Sequence, residues 1–168
     1  MPRAPGSGRS LGLPRPQRGE RGNLWRLFLI GLFLVSIIPG AGWAGERAPL
    51  TAEQQEVAAA ARRYLEAEVK QDHQTVFRSL YPASEYRKAN NFEAYLAEAR
   101  STPVGIESFE ILGVSILPEI PDREKWPEVN GFARVEVDLV IHYTDTDRKS
   151  LANYNFPFVR SGGKWYKL

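Results

Sequence analysis

Residues Arg134 to Tyr143 read RVEVDLVIHY, and few stretches restrict a fold more. Val135, Val137, Leu139, Ile141 and Tyr143 fall on one side of an extended chain, while Arg134, Glu136, Asp138 and His142 fall on the other. A period of two with this contrast means a strand with one dry face and one wet face, as in an antiparallel sheet covered on one side. The rest of the chain must therefore supply neighbouring strands and a cover for the dry face.

Both are present. GIESFEILGVSIL alternates through Phe109 and Ile111, then changes phase around Gly113 to Val114 and Ile116, so a bulge or bend is expected there. PEIPDREKWPEVNG, with three prolines and Trp126, reads as a loop. After a hairpin loop at TDTDRKS, Tyr154, Phe156 and Phe158 alternate with Asn153, Asn155 and Pro157. Pro157 removes a ladder donor, which places it at an edge or a bulge. Ser161-Gly162-Gly163-Lys164 then turns the chain into Trp165-Tyr166. An aromatic pair so near the last residue is expected to be core, because frayed ends are normally small and polar.

The cover comes from upstream. Thr51-Ala52-Glu53-Gln54 has capping-box spacing, and Val57, Ala61, Tyr64, Leu65 and Val69 recur at helical intervals, predicting an amphipathic helix over about 52–70. Asp72 is placed to cap a short second helix carrying Val76, Phe77 and Leu80 and ended by Pro82. A third helical stretch, 84–99, is divided at Asn90-Asn91, with Asn91 as a cap. The expected class is α+β: N-terminal helices packed on a strongly curved antiparallel sheet of at least four strands.

Residues 1–44 are of another kind. They hold six Arg against Glu20, so the remaining 16 basic and 19 acidic side chains leave residues 45–168 at a net −3, although the whole chain is +2. A domain of that charge lacks the clustered Lys/Arg footprint of nucleic-acid binding, and nucleic acid is excluded as a partner. The basic segment leads into LFLIGLFLVSII, Leu27 to Ile38, broken by Pro39-Gly40. A membrane span needs about 20 apolar residues and a signal-peptide core about 7 to 15, so the shorter reading is preferred. Gly42 and Ala44 supply small residues for a cut before Gly45. An uncleaved anchor is the rival, and would be the chain's one membrane contact. In both cases the domain, 51–168 after a linker at 45–50, is exported to the periplasm or medium. There is no cysteine, hence no disulfide framework and no lipid-bearing Cys near the cut.

Two phrases carry a family resemblance. AAARRYLEAEVKQDHQTVFRSLYP looks like the opening of the nuclear transport factor 2-like superfamily, and FVRSGGKWYKL is similar to its final hairpin. The resemblance covers about residues 52–168 and implies a cone-shaped α+β fold, with the last strand inside the sheet. It also implies that catalysis be tested, because the superfamily includes ketosteroid isomerase and polyketide cyclases. Arg63-Tyr64-Leu65 resembles the isomerase segment that carries its oxyanion-holding Tyr, followed by Asp72. Beyond that the pattern fails: SLYPASE offers only Glu85 as a base, and 150–160 contains no acid. Proton transfer without a paired acid and base has no mechanism.

The candidate pocket or ligand-binding residues are Tyr64, Glu85, Trp126 and His142. Tyr64 reads first as a core filler with a satisfied hydroxyl. Asp72 reads as a cap and His73 as exposed. His142 belongs to a solvated ladder with Asp138 and Arg134. Trp126 is either a flap over the cone's opening or an interface contact. No catalytic residue, metal ligand or cofactor is assigned. Two functions are left: a noncatalytic exported domain binding a protein partner or small ligand, with a homodimer through the sheet face, or an isomerase, dehydratase or cyclase using the cone cavity. Convergence of Tyr64, His142 or Glu85 on one cavity would separate them.

Overall fold

The computed structural model describes residues 49–121 and 123–168. The expected signal peptide and the linker up to residue 48 lie outside the described residues. Among those described, four helices precede four strands: α1 Ala52–Val69, α2 His73–Ser79, α3 Glu85–Ala89, α4 Phe92–Ser101, β1 Val104–Leu117, β2 Gly131–Tyr143, β3 Arg148–Ser161 and β4 Lys164–Lys167. The strands form one antiparallel sheet in the order β1-β2-β3-β4. No helix among the described residues is long and apolar enough to cross a membrane.

The helix starts follow local chemistry. Thr51 Oγ1 accepts from Gln54 N while Thr51 N donates to Gln54 Oε1, completing the capping box. Asp72, Ser84 and Asn91 cap α2, α3 and α4 by accepting from the third residue onward. Gln54 Nε2 also donates to Val114 O at 3.0 Å, tying the start of α1 to β1.

Val57, Ala61, Tyr64 and Leu65 of α1 meet Val135, Val137, Leu139 and Ile141 of β2 and Phe156 and Phe158 of β3 in one buried cluster. Each β2 side chain so buried lies at an alternate position, as the sequence requires. β1 keeps Ile106, Phe109, Ile111, Val114 and Ile116 on this face by breaking register twice, at Glu107 and at Leu112. The second break is the expected one near Gly113. The first turns the phase from Ile106 to Phe109.

Three expectations are corrected. The opposite sheet face is not wet throughout: Phe132, Val159, Tyr81 and Val129 form a second buried cluster, packed by Ile120, Trp126, Tyr166 and Leu168. The 118–130 loop covers that end because it carries Ile120, Trp126 and Val129. The last strand is the outer member of the sheet rather than an inner one. Its outward side is met by residues 80–81, through a parallel bridge from Leu80 to Lys167. His73 is half-buried rather than exposed: its ring packs edge-on to Tyr95 at 6.1 Å, and its Nδ1 is buried.

Pro157 lies where the sheet changes character. β4 covers β3 only over Phe158–Ser161. Leu168 N donates to Pro157 O at 3.0 Å, so the backbone of Pro157 faces away from β2 and its missing donor costs no β2 bond.

Candidate functional site

Side chains with chemistry meet on the core face where α1 ends against β3 and β4. Tyr64 is 6% exposed, and its Oη donates to Glu68 Oε1 at 2.8 Å, one helical turn along. Its ring meets Phe156 edge-on at 6.2 Å. Lys167 is 2% exposed, and its Nζ lies 5.5 Å from the centre of the same Phe156 ring. That Nζ also donates to the main-chain oxygen of Leu168. Burial pushes the Lys167 pKa down to about 8, with the Glu68 charge opposing. A phenol and a weakened ammonium thus share one aromatic ring, and the phenol is bonded to a carboxylate.

The sequence points Tyr64 toward the core and gives none of these partners. The signals were local. Glu68 lies four residues after Tyr64, and Lys167 lies two after Trp165, hence on the same strand face.

The other candidates lie elsewhere. Glu85 opens α3 and pairs with Lys125 at 2.6 Å, whose hydrogen bond and charge hold the carboxylate below its ordinary range. Lys125 Nζ lies 5.4 Å from the Trp126 ring, so Lys125 brings Glu85 and Trp126 together. Trp126 is half-buried in the second cluster, on the sheet face away from α1. His142 is on the outer side of β2, its Nε2 2.9 Å from Asp147 Oδ1 in the β2–β3 hairpin. Asp72 performs its cap with both carboxylate oxygens, taking Thr75 N at 3.1 Å and Thr75 Oγ1 at 2.6 Å. These bonds hold its pKa below the ordinary value.

Tyr64, Glu85 and His142 therefore occupy three separate places. A shallow concavity of about 450 Å³ lies along the solvent side of α1, lined by Leu50, Gln55, Ala58, Arg62, Arg63 and neighbours, and none of the candidates lines it. Among the described residues no group of three or more His, Asp or Glu is arranged to hold a metal ion. No family model, curated protein or solved structure matches the chain.

Proposed function

We propose that the chain is an exported, noncatalytic domain of the nuclear transport factor 2-like cone type, which binds a protein partner or a small ligand. One observation carries the noncatalytic reading. The three residues that the sequence offers as acid or base are dispersed and already engaged: Tyr64 with Glu68, Glu85 with Lys125, His142 with Asp147. Proton transfer needs its groups within reach of one substrate atom. Export rests on the basic segment, the twelve-residue apolar run and the small residues before Gly45.

The alternative, an isomerase, dehydratase or cyclase, is favoured by Lys167. A buried amine of lowered pKa, on the same Phe156 ring as Tyr64 and within reach of the Glu68 charge, is the kind of group such chemistry employs.

Two measurements test the proposal. The mass of the protein recovered from the producing cell should correspond to a start at Gly45 in the soluble exported fraction. Full-length chain retained in membranes would replace cleavage with an anchor. Lys167→Met should complement loss of the gene fully, whereas failure to complement at unchanged thermal stability would move the conclusion to the enzyme.

A further inference from the structure

The sheet has two long edges, and they are treated differently. Along β1, Glu107 and Leu112 interrupt the register, and Glu107 and Glu110 add charge. Bulges and charges are how edges are kept from pairing with other chains. β3 has neither protection over Ser150–Phe156, SLANYNF, where no residue is charged and the pairing with β2 runs without a break.

Among the described residues that stretch is also uncovered. β4 stops at the level of Phe158, and Leu168 reaches only Pro157. Because Pro157 faces away from β2, alternation sends the backbone groups of Lys149, Leu151, Asn153 and Asn155 the same way. Among the described residues no backbone group bonds to them. Leu151, on this open edge, is 73% exposed, the most exposed of the large hydrophobic side chains described.

We propose that the open edge of β3 joins two copies of this chain, strand to antiparallel strand, about a two-fold axis at Ala152. The pairing is self-complementary. Lys149, Leu151, Asn153 and Asn155 lie opposite Asn155, Asn153, Leu151 and Lys149 of the second copy, so all four outward residues of each copy are used and no like charges face each other. The small Ala152 meets Ala152 of the second copy on the axis, where a large side chain would obstruct approach. The two Leu151 side chains become diagonal neighbours, a distance of about 7 to 8 Å that side chains of that size span. Face-to-face packing of the sheets is a poorer fit. Glu110 and Asp138 are paired across the strands with Glu136 beside them, and a second copy would present the same acids.

The chain has no cysteine, so single introduced thiols report the register. Ala152 faces Ala152 in a non-hydrogen-bonded pair, with Cα atoms about 4.5 Å apart, inside the range of a disulfide. Under mild oxidation of a lysate containing the full chain, Ala152→Cys should shift to a band of two chains. Ser150→Cys should not, since its counterpart lies four residues further along. The double variant Leu151→Lys/Asn153→Lys gives up the bonds from Asn153 Nδ2 to Asp138 and Glu136 and puts Lys opposite Lys twice. It should sediment at the mass of one chain where the parent sediments at two, with the same far-ultraviolet dichroism. The proposal is overturned if Ala152→Cys stays at one chain, if it links to a species of another mass, if both thiols link equally, or if the double variant remains a dimer.

Discussion

The backbone N–H of Tyr81 donates to the carbonyl of Lys167 at 2.8 Å, joining the segment after α2 to the strand that ends the described chain. β4 is only four residues long, yet it is held on both sides: by β3 through Phe158–Ser161 and by residues 80–81. Its side chains split between the two cores, Trp165 joining the one under α1 and Tyr166 the one under the 118–130 loop.

Deleting Lys164–Leu168 should therefore unfold the domain. The deletion removes the β3–β4 ladder, the link to Tyr81 and two half-buried aromatics. Loss of one fully buried aromatic costs about 3 to 5 kcal/mol, and a domain has about 5 to 15 to lose. Thermal melting of the full chain with and without these residues is the check. A cooperative transition within a few degrees of the parent would show the tail to be peripheral.

Lys167 gives the stability a pH dependence of definite sign. Its folded pKa, about 8, lies below the ordinary 10.5, so between those values the unfolded chain binds more protons than the folded one. Stability then rises with pH across the window, by up to about 1.4 kcal/mol per unit. Above about pH 10 the rise is opposed by Tyr81 and Tyr154, whose phenols are pushed up by burial and ionise first in the unfolded chain. Urea midpoints between about pH 8 and pH 10 should climb for the parent and stay level for Lys167→Met. Equal slopes would mean that the Lys167 ammonium is solvated.

Tyr64→Phe separates the structural reading of the core-face cluster from a catalytic one. The change removes only a hydroxyl that donates to Glu68, a bond with a net worth of about 1 kcal/mol. We expect a small fall in melting temperature and full biological activity. Activity lost at unchanged stability would mean that the phenol acts on a substrate.

The elements that could be read from the sequence are those whose cause is local. The Thr51–Gln54 box, the Asp72 and Asn91 caps and the β2 alternation each depend on residues within a few positions of one another. So does the two-residue turn at Gly162-Gly163, whose φ of 57° and 75° suits glycine and the twist of a hairpin. What escaped was set by distant pairing: residues 80–81 against Lys167, and the loop that dries one end of the outer face. The break at Glu107 left a trace, since Ile106 and Phe109 are three apart and cannot share a face of a regular strand. Of the candidate site, Tyr64 was legible as a residue but its setting was not, because Phe156 meets Tyr64, and Lys167 meets Phe156, only after the sheet has closed against α1.

Gly131 illustrates a close approach with no sequence signature. It opens β2 beneath the indole of Trp165, where an added Cβ would stand 3.0 Å from Trp165 Cη2 and 3.0 Å from Arg160 Cβ. Neither can withdraw freely. Trp165 is fixed in the core cluster, and Arg160 is engaged with Glu53 and Glu56 of α1 at 3.5 and 3.9 Å. Gly131→Ala should cost about 1 to 3 kcal/mol, the ordinary penalty for overpacking. Gly113, beside the second break in β1, is the control: its nearest obstacle is Glu136 Oε2 at 4.0 Å, an ordinary contact. Gly113→Ala should leave the urea midpoint unchanged or raise it, because alanine has less backbone freedom to lose on folding. If both substitutions proved equally harmless, the indole of Trp165 would not rest on Gly131.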